Sequence, residues 1–218
     1  MKRPAAVLFD LDGTLVDTAP DLATATNLLR AHHELPPLEE DIIRREVSHG
    51  GSALVTLALG HDQHHPEHDV ARQFLLDSYE CNVAERSRLF DGFETLINYF
   101  KVHDLPWGII TNKPRRYTEP LIKGLGLTPD VLLCADDLPV RKPDPAPLLE
   151  AARRLGVAPD ECWYLGDHAR DMEAARRAGM RSIAVGYGYI REGDDATQWG
   201  ADLVLDHPSD VVDLFINK

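Results

Sequence analysis

Short apolar, largely β-branched runs recur along the chain, each closing on a polar residue: AAVLFD at 5–10, PWGIIT at 106–111, VLLCAD at 131–136, CWYLGD at 162–167, RSIAVGY at 181–187 and ADLVLD at 201–206. Continuous apolar runs of this length predict strands buried on both faces. Between the later runs the apolar positions switch to helical spacing. Phe93, Leu96, Ile97 and Phe100 follow Gly92, and Leu148, Leu149, Ala152 and Leu155 precede Gly156 as a stop. Strand alternating with helix predicts an α/β fold with a doubly wound, Rossmann-like parallel sheet.

The first gap breaks this rhythm. About ninety-five residues separate the first two strands with no strand signal between them, where a crossover helix needs only ~10–15. A helix is predicted from Thr18-Ala19-Pro20, with Leu22, Ala25 and Leu29 on one stripe, ending near His33 ahead of Leu35-Pro36-Pro37. A second helical segment follows from about Glu39, then SHGGS at 48–52, ALVTLALG, and a long helix from about Pro66 to Arg86. Residues 17–87 therefore read as an inserted all-helical cap on a core of residues 1–16 and 88–218. The short joints at Val16–Thr18 and Ser87–Gly92 suit a hinge.

Composition narrows the function. Lys and Arg total 23 against 36 Asp and Glu, a net charge of −13, which argues against nucleic acid or an anionic membrane as partner. Cys81, Cys134 and Cys162 are far apart and form no CxxC pair, so neither a disulfide framework nor a thiolate zinc site is encoded. The apolar run at the start ends at Asp10, short of a secretory or spanning segment. These features predict a cytoplasmic protein, monomeric or a homodimer.

The chemistry gathers where strands end, at the edge where open α/β sheets place ligands. Asp10-Leu11-Asp12-Gly13-Thr14 closes the first strand. Residues two apart in extended chain point the same way, so Asp10 and Asp12 present carboxylates to one spot, and Gly13 permits a sharp turn. Thr111 and Asn112, after the second strand, offer a hydroxyl and an amide to a phosphoryl oxygen. Lys142 in RKPDP supplies a point charge, and Asp167 and Asp171 in GDHARD supply two further acids. Together they suit an aspartate nucleophile, a hard cation such as Mg2+ held by carboxylates, and donors for an anion's oxygens. Phosphoryl transfer from a small phosphorylated metabolite fits that set.

With DLDGT, the threonine of IITN, the lysine of RKPDP and GDHARD present in this order, the chain resembles the haloacid dehalogenase superfamily phosphatases that carry a helical cap after the first strand. The resemblance covers essentially the whole chain. It implies that Asp10 is the nucleophile and Asp12 the general acid and base. It also implies that Thr111 and Lys142 bind the transferring group, with Asp167, Asp10 and the Asp12 carbonyl around magnesium and Asp171 in support. Within the superfamily the core resembles phosphoglycolate phosphatases. LFDGFETL, WGIITNKPRRYTEP, YGYI and WGADLVLDHP look most like the bacterial phosphatases of cell-wall recycling that act on N-acetylmuramic acid 6-phosphate. A phosphomutase would share all four motifs, a dehalogenase would not need Asp12, and a binding protein on this fold would be expected to lack a motif acid.

The cap's SHGGS segment, with His49, Gly50 and Gly51, is expected to reach over the site, since paired glycines let backbone N–H groups approach a ligand. Arg115, Arg116 and Lys113 are the basic groups expected to meet an acidic leaving group. His61, His64, His65 and His68 are expected to form a solvated loop, not a zinc site. His168 is expected to face solvent.

Overall fold

The computed structural model describes residues 3–216; the outermost positions of the expected core, 1–2 and 217–218, lie outside the described residues. All six apolar runs form strands, and two shorter strands join them: β1 (Ala6–Phe9), β2 (Val16–Asp17), β3 (Arg88–Leu89), β4 (Trp107–Ile110), β5 (Val131–Leu133), β6 (Cys162–Gly166), β7 (Arg181–Val185) and β8 (Leu203–Leu205). The main sheet is parallel, in the order β5-β4-β1-β6-β7-β8. Every residue of β1 and β6 is buried, as their unbroken apolar sequences require. Register sets the site: Phe9 lies opposite Ile109 on one side and Leu165 on the other. Asp10, Thr111 and Asp167, each just beyond its strand, therefore emerge close together at one edge.

Helices cover the sheet, and four more form a separate layer: α1 (Ala19–His32), α2 (Glu40–Arg44), α3 (Gly50–Leu59) and α4 (His68–Cys81) precede α5 (Phe93–Val102), α6 (Arg115–Gly124), α7 (Ala146–Leu155), α8 (Ala169–Arg177) and α9 (Pro208–Ile216). The first four bury their own apolar stripes, with Leu22, Leu29, Leu54, Val55 and Leu75 at the centre. Under the sheet, Phe9 packs edge-on against Phe93 and Trp107, with ring centres 6.1 and 6.5 Å apart.

Three local expectations need correction. The gap is not free of strands, because β2 and β3 pair antiparallel where the helical layer leaves the core; two residues each are too few to show a period. The long helix expected to Arg86 stops at Cys81, where Asn82 donates its side-chain amide to the Ser78 carbonyl and Ala84 turns to φ 66°. Gly50 and Gly51 are not an open loop but the first turn of α3, after a 3-10 turn at Val47–His49.

The two joints are tied to each other. Buried Asp21 in α1 accepts hydrogen bonds from the Arg86 N–H (2.8 Å), the Ser87 N–H (3.0 Å) and the Ser87 hydroxyl (2.6 Å).

Candidate active site

Four buried charges meet at the carboxyl edge of β1 and β6. Lys142 Nζ lies 2.8 Å from Asp10 Oδ1 and 2.7 Å from Asp171 Oδ1, and it donates to the Tyr164 hydroxyl at 2.6 Å. Asp10, Asp167, Asp171 and Lys142 are each 3% exposed or less. Oxygens of the three acids lie within 4.8 Å of one another. Burial raises the Asp10 pKa against the pull of Lys142, and it lifts Asp167 to about 7 with help from Asp10 and Asp171. Asp167 Oδ1 and Asp171 Oδ2 are buried without a hydrogen-bond partner among the described residues. Buried carboxylate oxygens left so are costly, and a hard cation is the partner their chemistry fits.

Asp12 points elsewhere. Its Oδ1 accepts from the Thr18 hydroxyl at 2.6 Å and from Lys113 Nζ at 2.9 Å, so its side chain stands apart from the acid cluster. Burial disfavours the Lys113 charge, yet Asp12 alongside and the Tyr79 ring at 4.6 Å hold it above the usual lysine range. Gly13 makes the turn just after the two acids at φ 81°; a Cβ there would stand 2.2 Å from Asp167 Oδ2. Gly188 packs equally close, with a Cβ 2.2 Å from that of Asp167.

A cavity of about 580 Å³ opens over this edge, and Asp10, Asp12, Thr111, Lys113 and Lys142 line its floor. His49, Gly50 and Gly51 also line this cavity, from the helical layer. Ser48 reaches furthest, its hydroxyl donating to Asp167 Oδ2 at 3.0 Å. A second cavity, of about 480 Å³, is lined by Arg3, Tyr99, Trp163 and Phe215 and contains none of these acids.

Other expected residues are placed differently. Asn112 lines the cavity, but its side-chain amide is committed to the Lys142 backbone, donating to the carbonyl at 2.9 Å and accepting from the N–H at 3.1 Å. It holds Lys142 in place instead of presenting its amide to a phosphate. Arg115 is turned away onto Asp137 and Glu119, and Arg116 onto Glu80 and Asp77. His168 does not face open solvent: it caps α8, its Nδ1 accepting the Arg170 N–H at 3.2 Å, and burial lowers its pKa to about 4. In the histidine-rich loop, His68 is buried, while the His61 and His65 rings stack 3.6 Å apart at 11°. Ligand atoms of His61, His65 and Glu67 lie within 4.8 Å of one another, so this loop gathers more closely than expected, although the near-parallel ring planes do not aim both lone pairs at one point.

The sequence does not single out Tyr164, Arg170 and Tyr189 as site residues, although Arg170 lies in GDHARD and Tyr189 in YGYI, and only the tertiary structure shows what they contact. The buried Tyr189 hydroxyl accepts the Thr18 and Ala19 N–H groups at 2.6 and 2.9 Å and donates to Asp17 at 2.8 Å, while its own N–H donates to Asp167. One residue thus ties the acid cluster, through its backbone, to the start of α1, through its side chain.

The profile of the haloacid dehalogenase-like hydrolases matches residues 7–185, and the chain belongs to that family. It is an enzyme of the family's phosphatase branch, on the strength of long, high-identity relatives. It is 44% identical over 214 residues to the N-acetylmuramic acid 6-phosphate phosphatase of Pseudomonas aeruginosa, covering 97% of this chain and 95% of that one. The phosphoglycolate phosphatase of Xanthomonas campestris pv. campestris is 40% identical over 210 residues, covering 95% of each. The crystal structure of a predicted phosphoglycolate phosphatase from Haemophilus somnus 129PT superposes with a TM-score of 0.83 at 25% identity, covering 98% of this chain and 99% of that one.

Proposed function

We propose that this chain hydrolyses phosphomonoesters through a phosphoaspartate at Asp10, with N-acetylmuramic acid 6-phosphate as its substrate. The observation that carries the reading is the buried cluster of Asp10, Asp167, Asp171 and Lys142 with two unpartnered carboxylate oxygens beneath the cavity. Asp10, Asp167 and Asp171 would hold Mg2+, which when bound offsets the charge of the acids and of the phosphate dianion. In the first step an Asp10 carboxylate oxygen attacks phosphorus, and the bond from phosphorus to the sugar oxygen breaks. Asp12 supplies the proton that the departing alkoxide takes up. Thr18 and Lys113 both engage one Asp12 oxygen, which leaves the other for this work. In the second step Asp12 removes a proton from water, the water oxygen bonds to phosphorus, and the bond to Asp10 breaks. Phosphate leaves and the Asp10 carboxylate is restored. Lys142 and Thr111 bind the phosphoryl oxygens throughout.

The size of the cavity favours a sugar phosphate over the two-carbon phosphoglycolate, which would leave most of it filled with water. Identity to the Pseudomonas relative above the Xanthomonas one leans the same way. The three free cysteines, two of them buried, suit a reducing, cytoplasmic setting, and no helix of the described residues is long and apolar enough to cross a membrane. The test is phosphate release from a phosphomonoester panel with magnesium present. The sugar acid phosphate should exceed 2-phosphoglycolate in kcat/KM by at least about tenfold. Preference for phosphoglycolate would overturn the substrate while leaving the chemistry untouched.

A further inference from the structure

The proposed substrate carries a second anion, the lactyl carboxylate, on the part of the molecule that leaves. The basic groups nearest in sequence do not serve it. Arg115 and Arg116 are paired with acids outside the cavity, and Lys142 and Lys113 are engaged by Asp10, Asp171 and Asp12. Two arginines of the core, Arg141 and Arg170, face the cavity beside Lys142 and Asp171, at the end where the phosphoryl group reacts.

The opposite wall is built by the helical layer, and there the guanidinium is that of Arg72 in α4. Arg72 lines the cavity, and among the described residues its guanidinium makes no ion pair and no hydrogen bond. It lies close to Gly51 in the first turn of α3: a Cβ built at Gly51 would stand 3.7 Å from Arg72 Nε, an ordinary contact distance. The guanidinium thus lies beside that turn, and Ser52 and Gln63 line the cavity with it. A phosphomonoester seated on Asp10 must extend its leaving group away from the floor, toward this wall.

We propose that Arg72 determines specificity by binding the carboxylate of an acidic sugar phosphate, so that the enzyme favours a leaving group bearing this anion over the same sugar without it. The inference rests on the substrate reading above and adds the residue that enforces it. A guanidinium suits the task because its planar fork meets both carboxylate oxygens, where an ammonium meets them as a point charge. The positive end of α3 beside it adds to the attraction.

N-acetylmuramic acid 6-phosphate and N-acetylglucosamine 6-phosphate share a ring and differ by the lactyl ether, so comparing them isolates the carboxylate. Arg72→Ala should lower kcat/KM for the acid by about 10- to 50-fold, mainly through KM, and change the neutral sugar by less than about threefold. Arg72→Lys should recover part of the loss. Arg141→Ala, on the core side, should weaken both substrates alike. Arg72 is exposed, so thermal melting of its variants should match the wild type and exclude misfolding as the cause. Equal losses on both substrates, or no loss on either, overturn the role of Arg72 while a wild type active on the acid keeps the proposed function. A wild type that shows no preference for the acid overturns the substrate reading, and the role of Arg72 falls with it.

Discussion

Asp10 and Asp167 occupy one buried cluster with different duties, and each makes its own prediction. Asp10→Asn keeps the shape of the side chain and removes its negative charge, so turnover should fall by at least about a thousandfold while circular dichroism stays unchanged. Substantial residual phosphate release would exclude Asp10 as nucleophile. Asp167 predicts a pH dependence. Its pKa is raised to about 7, by burial first and then by Asp10 and Asp171, against 3.8 for an ordinary aspartate. The folded, metal-free protein thus binds this proton more tightly than the unfolded chain does. That stabilisation is complete below about pH 4 and is lost as pH rises through about 7. In EDTA, the wild type should therefore lose melting temperature relative to Asp167→Asn, whose amide does not titrate, as pH rises across that window. Parallel curves for the two proteins would contradict the raised pKa. The four motif acids and Lys142 were legible as residues because spacing two apart and placement after a buried strand are local properties. That Asn112 holds Lys142, and that Arg115 turns to Asp137, was not legible, because each depends on a partner twenty or more residues away.

At the scale of elements, the joints between sheet and helical layer depend on side chains from distant parts of the chain. Thr18 sits at the cap position of α1 but gives its hydroxyl to Asp12, and the first N–H groups of the helix are satisfied by Tyr189 instead. Tyr189→Phe keeps the ring and deletes that acceptor, leaving the Thr18 N–H without its partner and the Ala19 N–H with only a 3.3 Å contact to Asp17. Urea unfolding should show a loss of about 1–3 kcal/mol, and an unchanged midpoint would show that the hydroxyl does not cap the helix. The six strands were legible because an apolar run buried on both faces has a signature in composition alone. The strands β2 and β3 were not, since two residues have no period, and neither the stop of α4 at Cys81 nor the left-handed Ala84 beyond it is announced by the sequence.

For the molecule as a whole, a chain of net charge −13 holds its reactive acids in one buried place and surrounds them with Lys113, Lys142, Arg141 and Arg170. Chelation tests how that balance is completed. EDTA should abolish phosphate release, excess Mg2+ should restore it, and bound Mg2+ should raise the melting temperature as a ligand that binds only the folded state. Full turnover in exhaustively chelated buffer would rule the metal out. The parallel α/β core, the helical insertion and the acids at the strand ends follow from neighbouring residues alone, because burial pattern, helical period and motif spacing are local properties of the chain. Which cations face the cavity, and what binds the helical layer to the sheet, depend on how distant segments fold together. Arg72 is sixty-two positions along the chain from Asp10, and Tyr189 is 172 from the Asp17 it bonds, so no local pattern records contacts that only folding makes.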